Sequence, residues 1–379
     1  MRILISGAGI AGPAVAWALE GQGHQVTVVE RASALRVGGQ AVDFRGPVHR
    51  DVLERLGLWG PIHAHRTEGT DLVLLDREGR ESVHLPAVMM SGDVEIVRGD
   101  LTRLLYERTA RHARYRFGEH VTGIDGGRVR FSSGAEEEYE LIVGADGLHS
   151  GVRALAFGPE ERFLRHHGYR LAVFSHDNIL GLREKALTFT VPGRSMMVSA
   201  TRAQLLFAGE PLGRERLDSA AMRAMVREAY RNVGWETARV LDALDRAQDL
   251  YVDQIATVAI DRYCSDRVVL LGDAAWGGTL GGQGTPLAIV GAYVLAGELA
   301  ARPNDVAHAL SLYEERMRPY ATDCQKGAER AGPFFAPRTG FGLWCRDLFY
   351  RAFTSRLLIG QFEKMVKASA TGFEVPAYG

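Results

Sequence analysis

Cysteine is scarce in this chain of 379 residues, and the few cysteines present are scattered. The three of them, Cys264, Cys324 and Cys345, form no C-x-x-C pair and match no zinc-ligand spacing. This pattern excludes the small secreted proteins that depend on a disulfide framework. It is typical of a protein in a reducing compartment, so we expect a cytoplasmic location.

An excess of charge of either sign is also missing. The 45 Lys and Arg residues nearly balance the 46 Asp and Glu residues, which gives a formal net charge of −1. A basic field that could grip nucleic acid is therefore absent, and we expect no nucleic-acid partner. The twelve histidines form no metal-ligand cluster and no Ser-His-Asp spacing, so we expect no metal ion and no catalytic nucleophile.

Long uninterrupted hydrophobic runs are not seen at the N-terminus either. The apolar stretch from Ile3 to Leu19 is interrupted by three glycines and by Pro13, and only Arg2 precedes it as a basic residue. We therefore expect neither a membrane span nor a signal peptide there. The overall content of 46% hydrophobic and 24% charged residues is that of a folded protein, and the length of 379 residues suggests two or three domains or one large one.

The first 30 residues predict a β-α-β unit that binds a dinucleotide. A short apolar strand, Arg2–Ser6, is followed by a helix and by a second strand that ends at Glu30. The first turn has the spacing G-x-G-x-x-G, with glycines at Gly7, Gly9 and Gly12. Such glycines let backbone N–H groups approach a pyrophosphate, and a carboxylate at Glu30 can accept hydrogen bonds from a ribose. NAD and FAD both use this unit.

Two further glycine turns follow predicted strands, and each carries an aspartate. The strand Arg267–Leu271 leads to Gly272-Asp273, and the strand Leu141–Val143 leads to a turn that contains Asp146. Open α/β sheets bind their ligands at the carboxyl ends of the strands. Asp273 can accept hydrogen bonds from a polyol such as a ribityl chain, and the helix that begins near Gly284 can hold an isoalloxazine ring at its N-terminus. These turns favour a flavin.

The middle of the chain has a different hydrophobic pattern. Alternating apolar and polar segments between residues 168 and 260 predict an antiparallel sheet, and the strand-helix pattern returns at residue 267. We therefore expect a discontinuous first domain. Its predicted segments are residues 1–70, 95–160 and 262–330; the sheet domain comprises residues 71–94 and 161–261, and a helical segment covers residues 331–379.

Five ordered motifs connect these patterns to a known family. They are GAGIAG with Glu30-Arg31, GGQAVDFRG at 38–46, EIVR at 95–98, GADGLHSGVR at 144–153, and the GDAA and GQGTPLAIVGAYVLAGEL stretches within 272–299. On these motifs the chain, up to about residue 330, resembles the group A FAD-dependent aromatic hydroxylases, or flavoprotein monooxygenases. It especially resembles their short members, which include tetracycline-modifying and polyketide-tailoring enzymes. The resemblance implies an α/β fold (α+β overall), with a Rossmann-like FAD-binding domain, an inserted antiparallel-sheet substrate domain and C-terminal helices.

The resemblance also implies a chemistry and its cofactor contacts. FAD would be the bound cofactor, and NADPH or NADH would dock transiently as electron donor. Reduced flavin and O₂ would form a C4a-hydroperoxide that transfers one oxygen atom to an aromatic or polycyclic small molecule, such as a secondary metabolite or an antibiotic. The FAD contacts implied by motif position are Gly7, Gly9, Gly12, Glu30, Arg31, Arg98, Asp146, Asp273, Gln283, Gly284 and Thr285. Arg45, in the second motif, is a further candidate, for which a surface salt bridge is the alternative.

One loop departs from the family pattern. The segment Trp276–Gly281 lacks the proline that relatives carry near the flavin, and it is about one residue shorter. This departure keeps open a flavin oxidase or dehydrogenase that removes hydrogen without inserting oxygen. A protein that sequesters a drug-like ligand without catalysis is a further alternative.

A hydroxylase of this type needs a cavity with little water beside the flavin. The weak candidates for substrate contact are Phe174, Phe189, Met197, Thr201, Phe207 and Trp276, and for the apolar ones a place in the core is the alternative. The stretch Phe341–Lys367 alternates apolar and basic residues at helical spacing. We expect it to dock on the body of the protein, where it can cap the substrate pocket, and a helix that lies on a membrane surface is the alternative. Both a monomer and a homodimer are compatible with the sequence.

Overall fold

The structure is a computed structural model that describes residues 1–35, 38–87, 92–212, 217–277, 283–354 and 373–378. The strands are β1 (Arg2–Ser6), β2 (Gln25–Glu30), β3 (Ala41–Phe44), β4 (Asp71–Leu75), β5 (Glu81–Leu85), β6 (Val94–Val97), β7 (Arg114–Phe117), β8 (Val121–Asp125), β9 (Arg128–Phe131), β10 (Glu136–Glu138), β11 (Leu141–Gly144), β12 (Leu164–Ser175), β13 (Lys185–Val191), β14 (Arg194–Val198), β15 (Arg202–Ala208), β16 (Tyr251–Val258), β17 (Cys264–Ser265) and β18 (Val268–Leu270). The helices are α1 (Ala11–Ala18), α2 (Gly46–Arg55), α3 (Trp59–Ala64), α4 (Arg98–Thr109), α5 (Gly151–Ala156), α6 (Ser219–Ala229), α7 (Thr237–Arg246), α8 (Asp273–Trp276), α9 (Gly284–Ala301), α10 (Val306–Phe335) and α11 (Gly340–Phe353).

The first sheet brings the three glycine turns to one edge. Its order is β17-β18-β11-β1-β2-β7, and β1 pairs in parallel with both β2 and β11. Ser6 lies opposite Gly144, which lies opposite Leu270 on β18. Because parallel strands end at the same edge of a sheet, the turns that follow these three strands are neighbours.

The second sheet has seven strands in the order β16-β12-β15-β14-β13-β4-β5. It combines the hairpin β4-β5 with the strands β12 to β16 from later in the chain. We expected a wholly antiparallel sheet, and this expectation is corrected at one point. Strands β13 and β4 run parallel where the two chain segments meet. Helix α10 continues to Phe335, so the predicted boundary at residue 330 falls inside a helix.

One face of the second sheet is covered by helices α6 and α7. Phe174 and Phe207 lie on this face, in a buried cluster with Val226 and Leu244 of those helices. Phe189 is buried on the same side and stacks on Trp235 at a centroid distance of 5.5 Å. The expectation that these three phenylalanines contact substrate is therefore corrected: alternate residues of a strand face opposite sides, and these positions face the helices.

Helix α9 crosses the centre of the first domain. Its 18 residues are long and apolar enough to span a membrane by composition alone, but 78% of them are buried inside the protein. It packs against α1 and α10, as a core helix of a folded domain does. Its apolar composition is thus explained by the hydrophobic core.

The C-terminal part touches both domains. Helix α11 lies against β5 and β13 of the second sheet, which agrees with the predicted docking of the segment from Phe341; the part beyond Thr354 lies outside the described residues. Residues 373–378 return to the first domain, where Phe373 stacks on Tyr320. The Tyr378 hydroxyl donates a hydrogen bond of 2.7 Å to the buried Glu298.

Candidate cofactor and substrate site

The first glycine turn is shaped for close approach. Gly7 has φ +108°, and a Cβ placed on it would clash with the carbonyl of Ala145 in the neighbouring turn. A Cβ on Gly12 would clash with the carbonyl oxygen of Gly7. A Cβ on Gly9 would meet no protein atom within 4 Å, so Gly9 borders open space. The turn therefore closes on itself at two glycines and leaves the third accessible to a ligand.

The Glu30 carboxylate is bound to this turn. One of its oxygens accepts a hydrogen bond of 2.8 Å from the Ala8 N–H, and the other accepts one of 2.9 Å from the Ala32 N–H. The end of β2 is thereby fixed to the glycine turn, at the position where a ribose is expected. Arg31 is exposed, and both its guanidinium and the Asp146 carboxylate lie within 4 Å of a Cβ placed on Gly151.

Asp146 organises the second turn. Its carboxylate accepts hydrogen bonds from the Ser150 hydroxyl and, at 3.1 Å, from the Val152 N–H. Burial raises the pKa of this carboxyl above its ordinary value, although these hydrogen bonds oppose the shift. In the protein alone, Asp146 thus stabilises the start of α5.

The third turn places a carboxylate that lacks such partners. The Asp273 carboxylate accepts no hydrogen bond from the part of the chain that the structure describes, and burial raises its pKa while the nearby Arg98 guanidinium partly offsets the shift. Gln283 precedes the first turn of α9, which contains Gly284 and Thr285. The intervening residues 278–282, with most of the Trp276–Gly281 loop, lie outside the described residues.

One predicted FAD contact and one predicted substrate contact interact with other residues of the protein. Arg45 forms an ion pair of 2.9 Å with Asp43, which is the alternative given above for this residue. Trp276 is fully buried, where its ring meets Tyr263 edge to face at a centroid distance of 5.9 Å. Trp276 therefore belongs to the core and does not line a substrate surface, which corrects that expectation.

The second face of the seven-stranded sheet turns toward the first domain. We call it the inner face; the cross-strand neighbours that form one row along it are Tyr251, Val173, Gln204, Met197 and Thr188. Tyr251 lies at the end of this row beside Arg98 and Asp273, whose charges influence its pKa. Met197 is thus on the face that we predicted to meet substrate. Thr201 lies in the exposed turn between β14 and β15, away from the row.

The residues that join the two domains were not predicted from the sequence. His149, from the second glycine turn, makes a hydrogen bond of 3.2 Å with Asp253 on the inner face. Thr257 of the same strand forms a bridge with Gly277, at the end of the third turn. The spacing Tyr251-x-Asp253 was an available signal, because alternate residues of a strand share a face.

These features fit FAD. The open space at Gly9 suits a pyrophosphate, and Glu30 lies at the end of β2 as a ribose requires. Asp273 and Arg98 provide an unpaired carboxylate and a cation for the polyol and phosphate part. The inner face lies next to these groups. The fold and site together define a two-domain flavoprotein in which a sheet covers one side of a dinucleotide site.

Comparison with known proteins supports this class. The family model described as FAD binding domain matches residues 1–328. A flavin-dependent monooxygenase from an unknown prokaryotic organism is 32% identical over 368 residues, covering 92% of this chain and 90% of that protein. An uncharacterised protein of Mycobacterium tuberculosis is 37% identical over 337 residues, covering 84% and 90%. The crystal structure of tetracycline destructase Tet(55) aligns with a TM-score of 0.82 at 30% identity, over 99% of this chain and 98% of that one.

The chain belongs to the FAD-binding monooxygenase family, and it is an FAD-dependent monooxygenase. The family, fold class and cofactor FAD that the motifs predicted are thereby confirmed. The roles of the individual FAD contacts stay predictions.

Proposed function

We propose that this monooxygenase inserts one oxygen atom from O₂ into an aromatic or polycyclic small molecule, with NADPH or NADH as electron donor. The observation that carries the proposal is the row along the inner face, which leads from Tyr251, beside Arg98 and Asp273, to Thr188. A flat ligand laid on this row would be placed next to the flavin site. Bound FAD supplies the activation of O₂ once it is reduced.

The residues of the row suit a largely apolar ligand with a few polar groups. Met197 is half-buried and offers apolar contact area, and Met adapts to irregular ring systems. Gln204 offers both a donor and an acceptor. The Thr188 hydroxyl is buried and has no hydrogen-bond partner among the described residues, so a polar substituent of a ligand would satisfy it.

The likeness to tetracycline destructase Tet(55) supports a polycyclic substrate of the antibiotic or secondary-metabolite type. A transient nicotinamide donor is proposed because the described domains contain one dinucleotide turn of this kind, and FAD would fill it. The cytoplasmic location inferred from the cysteines stays a prediction.

The test is the mass of the product. Purified protein loaded with FAD is incubated with NADPH or NADH under ¹⁸O₂, together with a panel of phenols, aromatic polyketides and tetracyclines. One ¹⁸O atom in a product is the expected result. The Gln204→Ala and Met197→Ala variants should raise KM for that substrate, whereas Glu138→Ala, on an exposed strand of the first domain, should leave KM unchanged.

Two results would contradict the proposal. A product that has lost two hydrogens and carries no label would identify an oxidase or dehydrogenase, the alternative that the proline-free loop keeps open. Tight binding of panel compounds without any NAD(P)H consumption would identify a sequestering protein.

A further inference from the structure

A continuous chain of four polar side chains leads from the protein surface to the inner face. The His149 Nδ1 lies 3.0 Å from Glu160 Oε1, and its Nε2 lies 3.2 Å from Asp253 Oδ1. The Tyr251 hydroxyl donates a hydrogen bond of 2.7 Å to Asp253 Oδ2. Glu160 is also bound by the buried Arg153.

The two ends of this chain have different surroundings. The Tyr251 residue is 38% exposed, yet burial raises the pKa of its phenol, and the charges of Asp253, Arg98 and Asp273 act on it. Tyr251 thus lies where the inner face meets the predicted flavin site, within range of the Arg98 and Asp273 charges; we call this junction the flavin crevice. At the other end, 45% of the His149 side chain and 28% of the Glu160 side chain are open to solvent.

The charge states along the chain follow from these contacts. The hydrogen bonds to Asp253 and Glu160 raise the pKa of His149 to about 9, so the ring is an imidazolium at neutral pH. Burial opposes ionisation of Asp253, but the hydrogen bonds from His149 and Tyr251 lower its pKa below the ordinary value. The resting state is thus an imidazolium between two carboxylates, next to a protonated phenol.

The reaction proposed above needs a proton from solvent in every turnover. Its balance is substrate + NAD(P)H + H⁺ + O₂ → oxygenated substrate + NAD(P)⁺ + H₂O. Oxidation of enzyme-bound reduced flavin without substrate needs one as well: FADH⁻ + O₂ + H⁺ → FAD + H₂O₂. A proton must therefore reach the flavin crevice in both cases.

We propose that Glu160, His149, Asp253 and Tyr251 form a proton relay between solvent and the flavin crevice. The inference rests on the proposed function for its place in the turnover. Once the Asp253 carboxylate has taken a proton, the Tyr251 hydroxyl turns from Asp253 to an acceptor in the crevice and gives up its proton, and the Tyr251 oxygen then takes the proton of the Asp253 carboxyl. Asp253 receives its proton from His149 Nε2. Neutral His149 is then reprotonated from solvent, and Glu160 holds the resulting imidazolium. Tyr251 is the group that meets the ligand, and the other three residues act through it.

The first test concerns the resting hydrogen bonds and needs no turnover. Histidine side chains of the ¹⁵N-labelled, FAD-loaded protein are titrated by NMR, and the His149 signal is assigned from its loss in His149→Gln. We expect a pKa near 9 in the wild type and a value at least one unit lower in Asp253→Asn. The matched control is Asp71→Asn, which breaks the pair of Asp71 with His84 at the far side of the same sheet. A His149 pKa that Asp253→Asn leaves unchanged overturns the relay.

The second test measures proton delivery. The FAD-loaded protein is reduced with dithionite, mixed with O₂ without substrate, and followed by flavin absorbance from pH 6 to pH 10. The wild-type rate should fall above about pH 9, as His149 loses its proton. We expect Tyr251→Phe and Asp253→Asn to be at least tenfold slower at pH 7.5, and His149→Gln to lose the fall near pH 9. Asp71→Asn should match the wild type.

These readouts separate the relay from the proposed function. Flavin reoxidation needs neither substrate nor NAD(P)H. It therefore still tests the relay when the ¹⁸O experiment yields no labelled product. Circular dichroism and the bound-FAD spectrum confirm that each variant is folded and loaded. If folded and loaded Tyr251→Phe and Asp253→Asn reoxidise at the wild-type rate with the wild-type pH profile, the relay is wrong even when an oxygenated product has been found.

Discussion

The Glu30 carboxylate accepts a 2.8 Å hydrogen bond from the backbone N–H of Ala8, inside the first glycine turn. A residue at the end of the second strand thereby fixes the backbone that is expected to hold the FAD pyrophosphate. The same carboxylate also accepts the Ala32 N–H. Turn geometry and ribose recognition therefore depend on one side chain, and the glycines of the turn can be tested separately from it.

Gly9 and Gly12 are predicted to respond differently to alanine. A Cβ at Gly12 would clash with the Gly7 carbonyl, whereas a Cβ at Gly9 would meet no protein atom within 4 Å. We expect Gly12→Ala to destabilise the protein without flavin by about 2 kcal/mol or more, through forced backbone movement. Gly9→Ala should keep the stability of the flavin-free protein but weaken FAD binding at least tenfold, because the methyl group would occupy the space of the ligand. Urea unfolding and flavin fluorescence titration measure the two effects.

Equal loss of stability in both variants would contradict this assignment, since it would place Gly9 against protein rather than ligand. The matched control is Gly60, because its φ is not positive and no atom lies within 4 Å of its Cβ position. Gly21 is unsuitable as a control because its φ is positive. Gly60→Ala should change neither quantity.

Removal of the Glu30 carboxylate should weaken binding of the cofactor as well as the fold around the glycine turn. Glu30→Ala removes the acceptor for the Ala8 and Ala32 N–H groups and the predicted ribose contact. A hydrogen bond to a charged group contributes about 1.5–3 kcal/mol, so loss of the predicted ribose contact should raise the Kd for FAD about 10- to 100-fold. Titration of the flavin-free protein with FAD gives this value. Glu138→Ala, at an exposed ion pair with Arg128, should leave the Kd within a factor of two.

The glycine turns could be predicted because their requirements are local. Positive φ at Gly7 and close backbone approach at Gly12 act on single residues, and the glycine spacing of the turn reflects them directly. The parallel strands that flank the turns are short apolar runs, which sequence patterns also detect. The dinucleotide-type domain therefore followed from a few segments of the chain.

The substrate face could not be predicted in the same way. Strand alternation separates Phe174 and Phe207 from Val173 and Gln204, but it does not say which face the later helices cover. Helices α6 and α7 lie on the phenylalanine side, and this choice depends on packing between distant segments. Likewise, His149 and Asp253 are 104 residues apart in sequence, so their contact is visible only in the folded protein.

The buried guanidinium of Arg153 is predicted to be a major stabilising group. It is fully buried, and it donates hydrogen bonds of 3.0 Å to the Ala274 carbonyl and 2.7 Å to the Leu148 carbonyl. Arg153 thus ties the second glycine turn to the third. Arg153→Met would leave both carbonyls without this donor, and we expect a loss of about 3 kcal/mol in the free energy of unfolding.

Urea unfolding of the flavin-free protein measures this loss. The control is Arg128→Met, because Arg128 is exposed and its ion pair with Glu138 should contribute less than about 1 kcal/mol. A similar effect of the two substitutions would show that Arg153 is not the link between the turns.

The EIVR motif contains a carboxyl group whose proton should stabilise the fold. Burial raises the pKa of Glu95 from 4.5 to about 7; the cross-strand Asp43 adds to the rise, while the hydrogen bond from Thr67 and the charge of Arg45 oppose it. Because the folded pKa lies above the unfolded value, the folded protein binds this proton more tightly. The resulting stabilisation is complete below about pH 4.5 and is lost as the pH rises through about 7.

Wild-type protein should therefore lose stability relative to Glu95→Gln between pH 5 and pH 8. With allowance for solvent screening of this partly buried group, we expect a relative loss of roughly 2 kcal/mol. Glutamine cannot ionise but keeps an acceptor for the Thr67 hydroxyl, so the variant isolates the titration. Urea unfolding at half-unit pH steps gives the difference curve, and the pH at which the curve levels off on its alkaline side reports the pKa of Glu95 in the folded protein. A flat difference curve would contradict this prediction, because it would mean that Glu95 is already ionised at pH 5. The charge of Arg45 would then outweigh the burial of Glu95.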